Sequence, residues 1–95
     1  MTTGPHVILL YDYVPDILER RAPHREAHLA RIAEWISSGR MLLAGPTGDP
    51  PVGALFVLPG EDPDAGERFA EGDPYVVAGL VTSRRVLPWN VVAAA

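Results

Sequence analysis

Two histidines four residues apart lie in the segment HREAHLARIAEWI, residues 24–36, and they are the side chains best suited to acid–base chemistry. Imidazole titrates near neutral pH, so a histidine can take up or release a proton under physiological conditions. On a helix, His28 is predicted to lie at the edge of an apolar stripe that faces the core. The stripe consists of Leu29, Ile32 and Ile36, with Trp35 beside it.

A metal site at His24 and His28 is the alternative use of this spacing. The zinc-protease pattern requires a glutamate directly after the first histidine, and Arg25 stands there. Pro23 also places His24 at the helix start, where the backbone frays. We therefore predict no metal ion. The absence of cysteine excludes disulfides, zinc-thiolate sites, iron–sulfur clusters and cysteine nucleophiles.

The composition indicates one globular domain over residues 1–95. The net charge is −4 and every basic side chain is arginine, so a nucleic-acid partner is not favoured. No apolar run approaches the roughly 20 residues that cross a bilayer. The N-terminal residues lack the basic region and cleavage site of a secretory signal. We expect a cytoplasmic protein that does not bind membranes.

Hydrophobic patterning predicts four strands and two main helical regions. The strands are predicted at residues 6–13, 40–46, 52–59 and 80–89. The helical regions are residues 14–38, divided at Pro23, and residues 63–72, followed by a short helical turn at residues 75–79. Asp62 and Asp73 each precede a proline, a pattern typical of a helix N-cap.

This order predicts an α+β, ferredoxin-like βαββαβ fold: a four-stranded antiparallel sheet with both helices on one face. The strands are apolar at successive positions, as in residues 7–10 and 55–58, so both faces of the sheet need cover. The helices can cover only one. We therefore predict a homodimer whose sheets pack face to face.

Three segments together resemble the signature segments of the YciI-like (YCII-related) family. They are REAHLARI at residues 25–32, GRMLLAGP at 39–46 and DPYVVAGL at 73–80. The resemblance implies a single YCII-related domain with a dimeric α/β-barrel fold. It also implies a pocket in which His28 and Asp73 form an acid–base dyad.

Four further residues are predicted to bind substrate. Arg25 matches the family's R-x-A-H pattern, and it has either an anionic substrate or a carboxylate of its own chain as its partner. Tyr75 either donates its hydroxyl into the pocket or packs in the dimer. Gly45 and Pro46 end a strand near the site, where the missing side chain lets a ligand approach. The chain departs from the family at Ala54, where many relatives carry a serine.

A carboxylate that accepts the N–H of one imidazole nitrogen leaves the other nitrogen free to take a proton. We therefore predict cofactor-free proton transfer on a small cyclic or carbonyl-bearing molecule, of the lyase, isomerase or dehydrochlorinase type. The alternative is a non-catalytic module that binds a small molecule or serves as an accessory dimer. The missing hydroxyl at Ala54 favours this alternative.

Overall fold

A computed structural model of residues 1–95 contains the predicted elements in the predicted order. The strands are β1 (Gly4–Tyr13), β2 (Leu43–Thr47), β3 (Gly53–Pro59) and β4 (Val81–Val91). The α-helices are α1 (Ile17–Arg20), α2 (Arg25–Ser37), α3 (Pro63–Gly72) and α4 (Pro74–Val77). A 3-10 helix at Ala22–His24 joins α1 to α2, so Pro23 does interrupt the first helical region. None of the helices is long and apolar enough to span a membrane.

The four strands form one sheet in the order β2-β3-β1-β4, and every neighbouring pair is antiparallel. This is the ferredoxin-like arrangement, so the predicted fold class is confirmed. Strands β1 and β3 lie in the centre of the sheet and carry most of the core.

One face of the sheet packs against the helices. Alternate residues of β1 point to this face, and Val7, Leu9 and Tyr11 are almost fully buried there. Phe56 of β3 contacts Phe69 of α3 with ring centroids 5.0 Å apart. Burial of such side chains provides the main driving force for folding.

The opposite face of the sheet carries no helix, and it is apolar along its middle rows. Ile8 pairs with Val57 on one side and with Leu87 on the other, so these three side chains lie in one row. Leu87 is 39 % exposed and Trp89 is 40 % exposed. The sheet therefore has the uncovered apolar face that the strand sequences predict.

The second strand begins later than predicted. The sequence indicates a strand at residues 40–46, whereas β2 begins at Leu43. The backbone N–H groups of Arg40 and Met41 both donate to the carbonyl oxygen of Trp35, at 2.9 and 3.2 Å. These residues therefore complete the end of α2, because orphan carbonyls at a helix C-terminus need donors.

The apolar stripe predicted for α2 is wrong in its orientation. Leu29 is 47 % exposed and Ile36 is 44 % exposed, whereas His28 and Trp35 are both 5 % exposed. The buried line of α2 thus passes through His28 and Trp35 instead of leaving His28 at its edge. Contacts to α4 and α3, and not hydrophobicity alone, determine how the helix is rotated.

Candidate functional site

His28 and Asp73 meet in the interior of the protein. The Nδ1 atom of His28 lies 2.6 Å from Oδ1 of Asp73, and both residues are buried. Asp73 lies between α3 and α4, where its Oδ1 also accepts the backbone N–H of Tyr75 at 3.1 Å. The Asp-Pro sequence therefore caps α4, and the same carboxylate contacts the imidazole.

Tyr11 of β1 is a third donor to this carboxylate, and sequence reasoning did not identify it. Its hydroxyl donates to Oδ2 of Asp73 at 2.8 Å. Burial raises the pKa of the Tyr11 hydroxyl well above its usual range, and the Asp73 carboxylate raises it further. The hydroxyl therefore keeps its proton and acts as a donor. Asp73 thus accepts from a strand, from α2 and from the backbone of α4.

The ring of Tyr75 lies flat against the imidazole of His28. Their centroids are 3.6 Å apart and their planes differ by only 4°. A stacked ring restricts rotation of the imidazole, so the contact fixes the direction in which its nitrogens point. Burial raises the pKa of the Tyr75 hydroxyl. Tyr75 therefore contacts the site through both its ring and its backbone.

A cavity of about 170 Å³ opens beside the imidazole, between α2 and the helix-covered face of the sheet. Besides His28, the four predicted binding residues line it: Arg25, Gly45, Pro46 and Tyr75. Asp73 is behind the imidazole and does not line it. At Gly45 no atom lies within 4 Å of the place a Cβ would occupy, so the open space predicted there exists.

The second imidazole nitrogen, Nε2 of His28, is accessible from this cavity. It makes no hydrogen bond within the chain, and no buried side-chain nitrogen or oxygen in the protein lacks a partner. Nε2 therefore has accessible surface, and His28 borders the cavity. With Nδ1 donating to Asp73, the lone pair of Nε2 is available to accept a proton.

The remaining lining of the cavity is mostly apolar. Ala54 and Phe56 of β3 and Leu29 and Ile32 of α2 contribute to it. Leu29 is exposed because it borders this opening. Ala54 places a methyl group where the family resemblance implied a hydroxyl. No group of three or more His, Cys, Asp or Glu side chains is placed to hold a metal ion.

A wider groove of about 550 Å³ between α2 and α3 offers no comparable chemistry. Its lining residues include Arg31, Arg40 and Arg68, and each of these side chains has a partner within the chain. Arg31 donates to two backbone carbonyls of α3, whereas the other two arginines pair with carboxylates. The groove lacks a buried histidine, so the dyad cavity is the stronger candidate.

Comparisons with known proteins identify the family to which this chain is similar. A model of the YCII-related domain matches residues 5–90. A protein named YciI from Escherichia coli O6:H1 is 36 % identical over 86 residues, which cover 81 % of this chain and 88 % of that protein. An uncharacterized protein from Haemophilus influenzae is 33 % identical over 98 residues, covering 92 % of this chain and 97 % of that protein.

A solved structure is also similar along nearly its whole length. It is 5-chloro-2-hydroxyhydroquinone dehydrochlorinase from Burkholderia phenoliruptrix, in complex with 2,5-dihydroxybenzoquinone. The TM-score is 0.74 and the sequence identity 25 %, with 90 % of this chain and 93 % of that chain covered.

Proposed function

Because the chain belongs to the YCII-related domain family, we propose that it is a cofactor-free proton-transfer enzyme whose general base is His28. The family match confirms the resemblance that the three segments indicated. The proposed substrate is a small organic molecule bound in the cavity beside His28.

One observation carries the proposal: Nδ1 of His28 lies 2.6 Å from the Asp73 carboxylate, while His28 borders the cavity and its Nε2 has no partner in the chain. A carboxylate at this position selects the tautomer with the proton on Nδ1 and stabilises the imidazolium that forms when Nε2 accepts a proton. Tyr11 and the backbone N–H of Tyr75 hold the carboxylate in place.

The proposed reaction moves one proton. Nε2 takes a proton from an acidic C–H or O–H group of the substrate, and the bonding electrons remain on the substrate. In an isomerase, the imidazolium returns that proton to another atom. In a dehydrochlorinase, a C–Cl bond breaks and chloride leaves with the bonding pair, so that HCl is lost overall. The name of the similar solved structure supports the dehydrochlorinase reaction.

We also propose that the protein is a homodimer joined through the helix-free faces of two sheets. The apolar row through Ile8 and Leu87, together with the exposed ring of Trp89, supports this assembly. Monomeric proteins rarely expose a contiguous apolar face of this kind. A cytoplasmic location stays a prediction of the sequence.

A second candidate function is a binding module without catalysis. Ala54 favours it, because this residue lines the cavity with a methyl group and leaves His28 as the one proposed proton acceptor there. A binding module would still use the cavity for a small molecule. It would release that molecule unchanged.

The test of the base is deuterium incorporation from D₂O at the ring C–H positions of 2,5-dihydroxybenzoquinone, followed by proton NMR. In this exchange Nε2 delivers a deuteron to the ring carbon and removes the proton. His28→Gln is expected to lower the rate by about 10²-fold or more, which is typical for loss of a general acid–base group. His24→Gln is the matched control, because His24 lies one turn earlier on the chain and does not line the cavity.

Equal exchange rates in wild type and His28→Gln would overturn the proposal. If wild type is stabilised by the quinone yet shows no exchange above the buffer rate, the binding module is the better function. Chloride release from 5-chloro-2-hydroxyhydroquinone by wild type, and not by His28→Gln, would identify the lyase course.

Light scattering during size-exclusion chromatography tests the dimer. Wild type is expected at twice the chain mass of 10.3 kDa. Leu87→Glu places a charge on the helix-free face and is expected to give monomers, because burying an unpaired carboxylate is unfavourable. Val77→Glu is the control, since Val77 is 75 % exposed and lies on α4. A monomeric wild type would rule the assembly out.

A further inference from the structure

The arginines of this acidic chain fall into two groups. Five of the eight arginines have partners within the chain: four pair with carboxylates, and Arg31 donates to two backbone carbonyls of α3. The four that pair with carboxylates are Arg20, Arg40, Arg68 and Arg84. The remaining three, Arg21, Arg25 and Arg85, have no carboxylate within 4 Å, although the chain contains 12 acidic residues.

Two of these three arginines, Arg21 and Arg25, line the dyad cavity. Arg21 lies just before the 3-10 helix, and Arg25 is the first residue of α2. No aspartate or glutamate lines this cavity. The charges of Arg21 and Arg25 both lower the pKa of the Tyr75 hydroxyl, against the effect of burial, so both guanidinium groups act on the same region beside the stacked rings.

This local positive charge is opposite in sign to the whole molecule, whose net charge is −4. Two like charges near one opening repel each other, and neither is offset by a carboxylate of the chain. An anion bound between them would remove the repulsion. Guanidinium groups are well suited to this, because their planar donors match carboxylate and similar oxygen pairs.

We propose that Arg21 and Arg25 together bind an anionic group of the substrate, so that the molecule acted on is a small organic anion such as a carboxylate, enolate or phenolate. The proposal rests on the proposed function, since it concerns the substrate of the same cavity. Arg21 is a binding residue that the sequence did not indicate. The volume of about 170 Å³ limits the substrate to a molecule smaller than a typical drug-sized ligand.

The two arginines also complete the electrostatics of the proton transfer. Removal of a proton by His28 leaves extra negative charge on the substrate, while the Asp73 carboxylate lies directly behind the imidazole. Arg21 and Arg25, which line the same cavity, offset that added charge. Positive groups that face developing negative charge stabilise a transition state.

The test is equilibrium binding of 2,5-dihydroxybenzoquinone, which is a vinylogous acid and is ionised at neutral pH. Hydroquinone, a neutral ring of similar size, is the comparison compound. Wild type is expected to bind the anion at least about tenfold more tightly than hydroquinone, as charge-assisted contacts predict. Arg21→Gln and Arg25→Gln are each expected to weaken binding of the anion about five- to tenfold and to leave hydroquinone binding unchanged.

Arg20→Gln is the matched control. It removes the same charge from the neighbouring residue, but Arg20 pairs with Asp16 and does not line the cavity. It is expected to change the affinity for the anion by less than about twofold. If wild type binds the anion no better than hydroquinone, or if Arg20→Gln weakens binding as much as Arg21→Gln and Arg25→Gln, the proposal is wrong.

Failure of this inference can be told apart from failure of the proposed function. If the Arg21 and Arg25 variants bind the anion normally while His28→Gln abolishes deuterium exchange, His28 is supported as the general base and the proposed anion site is wrong. If the arginine variants lose affinity for the anion while His28→Gln catalyses exchange as fast as wild type, the anion site is supported and the proposal that His28 is the base is wrong.

Discussion

Tyr11→Phe isolates the hydrogen bond that ties β1 to the Asp73 carboxylate. The substitution removes one oxygen, which donates to Oδ2 of Asp73 at 2.8 Å inside the protein. The aromatic ring remains, so its edge contact with Phe56, at 4.9 Å between centroids, is retained. The change therefore creates almost no cavity and acts on one interaction.

The surroundings of Oδ2 of Asp73 determine how much stability Tyr11→Phe should remove. The other two donors to Asp73, from His28 and from the Tyr75 backbone, both bind Oδ1, so Oδ2 would be left in the interior without this partner. A hydrogen bond to a charged group contributes about 1.5–3 kcal/mol to stability. We expect the free energy of unfolding to fall by about 2 kcal/mol, which for a chain of this size lowers Tm by about 8–16 °C.

Urea denaturation at pH 7, monitored by tryptophan fluorescence and circular dichroism, measures the decrease in the free energy of unfolding. Tyr13→Phe is the matched control, since Tyr13 lies on the same strand and face but its hydroxyl makes no hydrogen bond within the chain. That control is expected to change the free energy of unfolding by less than about 0.5 kcal/mol. Equal stability of the two variants would show that Tyr11 does not hold the carboxylate in place.

Three other outcomes are expected. Burial and Asp73 raise the pKa of the Tyr11 hydroxyl above its ordinary value near 10. The stability that this hydroxyl contributes is therefore complete below about pH 10 and is lost as the pH rises further. Urea titrations above about pH 10 should show the free energy of unfolding falling more steeply for wild type than for Tyr11→Phe. Gly53→Ala should destabilise the fold by about 3 kcal/mol or more in the same assay, since a Cβ would collide with the carbonyl oxygen of Tyr11, whereas Gly45→Ala, with open space, should change it by less than about 1 kcal/mol. The Asp64 N–H bond and the Arg68 side chain lower the pKa of Asp62, so Asp62→Ala should lower Tm at pH 7, and calorimetry should show that difference shrinking as pH falls below about 4.

The element order and fold class are accessible from local sequence because each element carries its own signal. Alternation and apolar runs identify the strands, and Asp62 and Asp73 before prolines identify two helix starts, both of which the structure contains with the side chain as cap. These signals depend on residues a few positions apart. They do not depend on the tertiary contacts.

The parts of the site that the sequence did not indicate depend on contacts between distant residues. Tyr11 and Asp73 are 62 residues apart, and their hydrogen bond follows from how α4 sits over β1. The rotation of α2 follows from contacts of His28 and Trp35 with other helices, so the apolar residues of the helix alone gave the wrong face. The place of Arg21 at the cavity depends on the short 3-10 turn after it.

The three contacts of Asp73 affect how changes in this family over evolution should be interpreted. The side chain fastens a strand, a long helix and the first turn of a short helix at a single point. Natural selection for folding alone would therefore preserve this aspartate after an ancestral activity had disappeared. A descendant that keeps the aspartate but replaces the histidine would be a pseudoenzyme with an intact scaffold, and the histidine is the more informative marker of retained chemistry.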